Sequence, residues 1–128
     1  MHRVILDTHT FLWVLSDSPE LSQTVREIVS DRRVDKILSL ASVWEMAIKR
    51  GLGKLVLPTS LETLIGKARS AGLILAPLEL AHVLSVEALP SYHRDPFDRL
   101  LISQSLAEGT PLVSRDRAFD AYGVRRIW

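Results

Sequence analysis

The chain contains no cysteine. Disulfides, thiolate metal sites and cysteine nucleophiles are therefore excluded, and the composition fits a reducing cytoplasmic setting. Long apolar runs are also missing. Val4-Ile5-Leu6 stops at Asp7, too short for a secretory signal or a membrane span, so no membrane attachment is expected. Charge of neither sign dominates: 16 Lys and Arg stand against 15 Asp and Glu, a formal net charge of +1. Nothing global draws this chain to a polyanion, and any such binding must come from a local patch. Internal repeats, low-complexity tracts and long linkers are absent. With 128 residues, a single domain over residues 1–128 is expected.

What the chain does have is apolar content, 47% of residues, enough for a sizeable core. It is distributed in short strand-like runs alternating with helical segments. Arg3-Val4-Ile5-Leu6, Lys36 to Ser39, Leu73 to Pro77, Thr110 to Val113 and Val124 to Trp128 read as strands. Between them, Thr10 to Leu15, Ala41 to Lys49, Ser60 to Ala71, Glu79 to Leu89 and Phe97 to Glu108 read as helices. Ser18-Pro19-Glu20 looks like an N-cap with proline at the first helical position, opening a segment with Leu21, Val25, Ile28 and Val29 on one face. Leu55 to Pro58 reads as an extended connector, and Ser114 to Tyr122 as a turn with a short helix. This alternation implies an α/β fold with a mostly parallel sheet covered on both faces.

Four acids fall where apolar runs give way to helix or turn signals: Asp7, Glu45, Asp98 and Asp116. An acid at the end of a buried strand faces the crevice where open α/β sheets place their ligands. Brought together, such acids repel unless a hard divalent cation sits among them. Asp7 either binds metal or caps the next helix. Thr8 could bond a metal-bound water or a phosphate, or act as a cap. Glu45 lies among Val43, Trp44, Met46, Ala47 and Ile48, which suggests a largely buried helix and a carboxylate that must be paired or hold a metal. Its ordinary alternative is a pair with Lys49 one turn on. Ser42, one turn earlier, either contacts a ligand or caps the helix. Asp95-Pro96-Phe97-Asp98 reads as an N-cap, a first-turn proline and an acid in the first turn. Asp120 reads as solvated surface. His9, His82 and His93 show neither metal-ligand spacing nor a neighbouring nucleophile; His93 is expected to orient the loop before Asp95. Trp13, Trp44 and Trp128 are expected to fill the core. Lys49, Arg50, Lys54, Arg94, Arg99, Arg115 and Arg117 lie near three of the acids and could form a rim that grips a phosphate backbone.

Together these residues resemble the PIN domain, and most of all the VapC toxins of bacterial type II toxin–antitoxin systems. The resemblance rests on Asp7-Thr8-His9, Leu12-Trp13, Ser42-Val43-Trp44-Glu45, Ile48-Lys49 and Gly53-Lys54-Leu55. His93-Arg94-Asp95-Pro96-Phe97-Asp98-Arg99-Leu100-Leu101-Ile102 and Ser114-Arg115-Asp116 complete it, so it covers essentially the whole chain. It implies a three-layer α/β/α sandwich and a Mg²⁺- or Mn²⁺-dependent endoribonuclease. The implied acidic quartet is Asp7, Glu45, Asp98 and Asp116, with Asp95 a possible fifth member. Ser114 replaces a common threonine and keeps the hydroxyl. A cognate VapB-like antitoxin and a homodimer are implied as well.

Other readings fit less well. A haloacid-dehalogenase-type phosphatase wants a second acid two residues after the first, where this chain has His9. A receiver domain wants an early acidic pair that is not present. A housekeeping RNA-processing nuclease, or a PIN-like module that only binds RNA or protein, would keep the fold without the toxin role.

Overall fold

The computed structural model describes residues 2–128. Its centre is a five-stranded sheet: β1 (Arg3–Leu6), β2 (Asp35–Ser39), β3 (Ile74–Ala76), β4 (Leu112–Val113) and β5 (Arg126–Ile127). The spatial order is β3-β2-β1-β4-β5, and every pairing is parallel. Parallel strands need crossovers, and helices supply most of them: α1 (Thr8–Leu15), α2 (Gln23–Ser30), α3 (Leu40–Gly51), α4 (Leu61–Ser70), α5 (Leu80–Ser85) and α6 (Pro96–Glu108). A 3-10 turn at Val86–Ala88 extends α5, and another at Arg117–Tyr122 links β4 to β5.

The two-residue period of a strand splits the apolar residues between the two faces. Val4, Leu6, Leu38 and Val113 join Phe11, Val25, Met46 and Leu64 in one core. Ile5, Ile37 and Leu112 join Leu101, Ile102 and Phe119 in the other. Both faces are thus covered, as the run of consecutive apolar residues in β1 requires. Each fully buried Leu, Ile or Phe contributes roughly 1.5–3 kcal/mol.

The strand order positions the site. From β1 the chain builds outward through β2 and β3, then returns to add β4 and β5 on the other side. The crevice outside the carboxyl ends of β1 and β4 is the topological switch point, where doubly wound sheets bind ligands. Asp7 follows β1 directly, and its N–H is tied to Val113 O at 3.1 Å.

Several expectations change. The second helix begins at Gln23, capped by Ser22, whose Oγ accepts from Val25 N; Ser18 only closes a turn by accepting from Glu20 N. The segment expected as one helix over Glu79 to Leu89 tightens into 3-10 geometry after Ser85. The last two strands shrink to two residues each, since only there do their neighbours offer ladder partners.

Candidate active site

In a parallel α/β fold the helices that follow strands start at the carboxyl edge, so their N-terminal turns gather at the switch point. Asp7 and Asp116 arrive there this way, while Glu45 comes from one turn deeper in α3, and Asp95 and Asp98 from the start of α6, which follows a loop. Asp7 caps α1, with Oδ1 accepting from Thr10 N at 2.8 Å. Asp95 caps α6, with Oδ1 accepting from the N–H of Phe97 and of Asp98, and Asp98 stands in the first turn. Asp116 caps the 3-10 turn after β4, accepting from Ala118 N. Glu45 comes from the second turn of α3 and is buried. Capping and site formation are therefore one arrangement rather than alternatives, and the positive ends of the helices favour the negative groups.

These five carboxylates line one recess of about 90 Å³ together with Thr8, His9, Lys49 and Phe119. Hydroxyls fix their directions. Ser114 Oγ is wholly buried; it donates to Asp7 Oδ2 at 2.6 Å and accepts from Asp116 N at 3.0 Å, so one side chain ties two acids together. Thr8 Oγ1 donates to Glu45 Oε1 at 2.5 Å. The other oxygen of Glu45 meets Lys49 Nζ at 2.5 Å, and that hydrogen bond holds the ammonium above its ordinary pKa.

Asp98 registers the crowding. Its carboxyl is pushed up to about 7, first by burial and then by the charges of Asp95, Glu45, Asp7 and Asp116. A carboxylate cluster that cannot ionise freely at neutral pH is short of positive charge, and Lys49 alone does not supply it. Oxygen donors around a small space suit a hard cation such as Mg²⁺ or Mn²⁺.

One contributor was missed from the sequence. His93 Nε2 lies 3.0 Å from Asp98 Oδ2 and 3.9 Å from Asp116 Oδ2. Its Nδ1 accepts from Asp95 N at 3.2 Å, so the neutral ring carries its proton on Nε2, toward the acids. The sequence showed His93 two residues before Asp95 but gave no sign that the loop turns the ring back over α6.

Other readings need correction. Helix α3 is not largely buried: Trp44 is 50% exposed and Ile48 44%, and only Ala41, Ser42, Glu45 and Met46 are enclosed. Trp44 therefore does not fill the core; it meets Phe97 edge-on at 4.9 Å. Trp13 and Trp128 are partly buried at the edge of one core. Ser42 does not cap α3, because Ser39 does, and it is fully buried without lining the recess. Arg99 is not part of a phosphate-gripping rim. Its guanidinium is spent on the carbonyls of Pro90, His93, Val86 and Leu89. Arg94 is exposed, while Arg115 pairs with Glu20 and sits 4.8 Å over the Trp13 ring. Asp120 is at the surface, as expected, but is held by Arg126 at 2.8 Å.

A doubly wound parallel sheet with a carboxylate-lined recess at its switch point defines a class of α/β domain able to gather negative groups around a cation-sized space. The particular family follows from a match of residues 4–124 to the PIN domain, and the chain belongs to that family. PIN domains are nucleases and generally use a divalent metal. Solved structures share the fold. VapBC2 from Rickettsia felis, bound to a DNA fragment from its promoter, superposes with a TM-score of 0.73 at 14% identity, over 98% of this chain and 97% of that one. DNA-bound VapBC from Salmonella typhimurium gives 0.73 at 18% identity, over 99% and 98%. FitAcB from Neisseria gonorrhoeae gives 0.62 at 16%, over 98% and 96%. No curated protein matches the chain. No helix among the described residues is long and apolar enough to cross a membrane.

Proposed function

We propose that this chain is a Mg²⁺- or Mn²⁺-dependent endoribonuclease acting as the toxin of a type II toxin–antitoxin pair. The observation that carries the reading is the convergence of Asp7, Glu45, Asp95, Asp98 and Asp116 on one small recess. Asp7, Asp98 and Asp116 would hold the cation, with Glu45 as a further ligand or as acceptor from water, and Asp95 in support. A bound divalent cation supplies an activated water at neutral pH and stabilises charge on the phosphate and the leaving oxygen. Ser114 and Thr8 keep the carboxylates aimed, Lys49 offsets part of the charge on Glu45, and His93 holds its Nε2–H toward Asp98. No side-chain nucleophile is required. Lys49 lines the recess and Arg115 the space beside it, where both would meet the RNA.

The toxin reading is supported by the fold shared with VapBC and FitAcB, and it brings a VapB-like antitoxin as partner. A homodimer is supported by the apolar side chains left in solvent at α3 and α5: Trp44 and Ile48 on α3 with Leu52 just after it, and Leu80, Val83 and Leu84 on α5. Both helices pack on α6. A small reading frame beside the gene, encoding a protein that blocks the activity, would separate the toxin from a housekeeping RNA-processing nuclease.

The test of the chemistry is incubation of total RNA with purified protein in Mg²⁺, Mn²⁺ or EDTA, beside Asp7→Asn. Discrete metal-dependent fragments that vanish in the variant are expected. Full cleavage by well-folded Asp7→Asn would defeat the mechanism.

A binding readout accompanies it. Addition of Mn²⁺ is expected to raise the melting temperature, and by more at pH 7.5 than at pH 5. At pH 5 Asp98 is protonated and offers one fewer anionic ligand; above about pH 7 it is ionised, and protons no longer compete with the cation for its carboxylate. Equal shifts at the two pH values would count against Asp98 as a ligand.

A further inference from the structure

A second hollow, of about 320 Å³, adjoins the acidic recess and is lined by Asp7, His9, Trp13, Arg115 and Asp116. Asp7, His9 and Asp116 line both spaces, so the two share a wall. Their contents must differ. The recess, at about 90 Å³, has room for an ion and a few waters, a water occupying about 30 Å³ of liquid. The hollow reaches the lower end of the size range of small-molecule pockets, about 300 Å³. Its walls are also of another kind. Trp13 lies 6.0 Å from the His9 ring and 5.9 Å from Trp128, centroid to centroid. The Arg115 guanidinium sits 4.8 Å over Trp13 and is paired with Glu20. The hollow therefore offers two aromatic rings and a flat, fixed guanidinium beside the carboxylates.

Resting on the nuclease reading above, we propose that this hollow is a subsite for one unpaired nucleobase of the nucleotide next to the scissile phosphate. Unstacked bases of single-stranded RNA are held by stacking on aromatic side chains and on arginine guanidinium planes. A phosphate at the recess brings the neighbouring nucleotide to this hollow, the larger space that shares its walls. Asp7 and Asp116 disfavour a second anionic group there, whereas a base is flat and neutral.

The test uses the intact protein carrying Asp98→Asn to prevent turnover; Asp98 does not line the hollow. Short labelled oligo(A), oligo(U) and an oligomer of abasic ribose phosphates of equal length are titrated in Mg²⁺. The base-bearing oligomers are expected to bind about tenfold more tightly than the abasic one, within the usual range for a stacked base. His9→Ala and Arg115→Ala should each shrink that ratio without lowering thermal stability, since both residues are exposed. Trp13→Ala should abolish it. Because Trp13 also packs on Trp128, the two surface variants carry the decision. Equal affinity for base-bearing and abasic oligomers overturns the subsite, as does an unchanged ratio in both surface variants. If the unsubstituted protein cleaves RNA but the ratio is one, the subsite alone falls. If folded protein neither binds nor cleaves any RNA, the nuclease reading falls with it.

Discussion

Asp98→Asn is expected to abolish RNA cleavage while raising the melting temperature of the metal-free protein at neutral pH. The two effects share one cause. Asp98 faces Asp95, Glu45, Asp7 and Asp116 from a partly buried position, and its folded-state pKa is about 7 rather than the ordinary 3.8. A raised carboxyl pKa means that the folded state binds more protons than the unfolded chain between those values. Stability from this group is therefore present near pH 4, is lost as pH rises toward 7, and stays lost above it. Asparagine keeps the shape and removes the charge that repels its neighbours. At about 1.4 kcal/mol per pKa unit, the relief at pH 7.5 is of the order of 2–4 kcal/mol, enough to move the melting temperature by several degrees. On the proposed function the same change also takes away a carboxylate that would hold the cation, and cleavage should fall by about a hundred- to a thousandfold, the scale of removing one preorganised electrostatic group. Thermal melts at pH 5 and pH 7.5 in EDTA, beside RNA cleavage in Mg²⁺, read both outcomes. A melting temperature that falls at pH 7.5 would refute the repulsion, and retained cleavage would remove Asp98 from the chemistry.

Arg99→Ala should be the most destabilising surface-proximal substitution in the chain, by about 2–4 kcal/mol. Arg99 Nη1 donates to Pro90 O at 2.8 Å and His93 O at 3.2 Å, and Nη2 donates to Val86 O at 3.1 Å and Leu89 O at 3.2 Å. Tyr122 joins the same knot, its hydroxyl donating to Pro90 O at 2.9 Å and accepting from His93 N at 2.7 Å. One guanidinium thus ties the segment from Val86 to His93 onto α6. His93 and Asp95 are carried by that segment, so cleavage should fall along with stability. Arg99→Lys is expected to fail nearly as badly, because an ammonium cannot span carbonyls spread around a planar fork. Urea denaturation of the three proteins measures this. A lysine variant with unaltered midpoint would show that a single positive charge suffices and that the fork is incidental.

The parts of the site legible in the sequence were those encoded locally. Asp95-Pro96 announced a helix start, and α6 begins there with Asp98 in its first turn. Val4-Ile5-Leu6 announced a strand buried on both faces, which fixed where Asp7 must lie. Glu45 and Lys49 share a helix face, and they pair. What the sequence concealed depended on partners far along the chain. Nothing local distinguishes the apolar residues of α3 that meet the core, such as Met46, from those left in solvent, such as Ile48. The fate of Arg99 depends on carbonyls, which every residue has and no motif marks. His93 reaches Asp98 only because the preceding loop folds back, a matter of tertiary geometry rather than spacing. The core expectation for the tryptophans failed for Trp44, where a large apolar side chain stays half outside.

The sheet order also has a consequence for the protein's own synthesis. Ser114, which orients Asp7, and Asp116 leave a ribosome more than a hundred residues after Asp7 does. Strand β1 cannot acquire its β4 neighbour until that stretch is free to fold. A nascent chain halted before Ser114 carries most of the acids yet no assembled recess. On the nuclease reading, a cell translating this message meets no active enzyme until Asp116 has left the ribosome. On the toxin reading proposed above, harm would begin only after Asp116 has been added, by which time an antitoxin could be waiting.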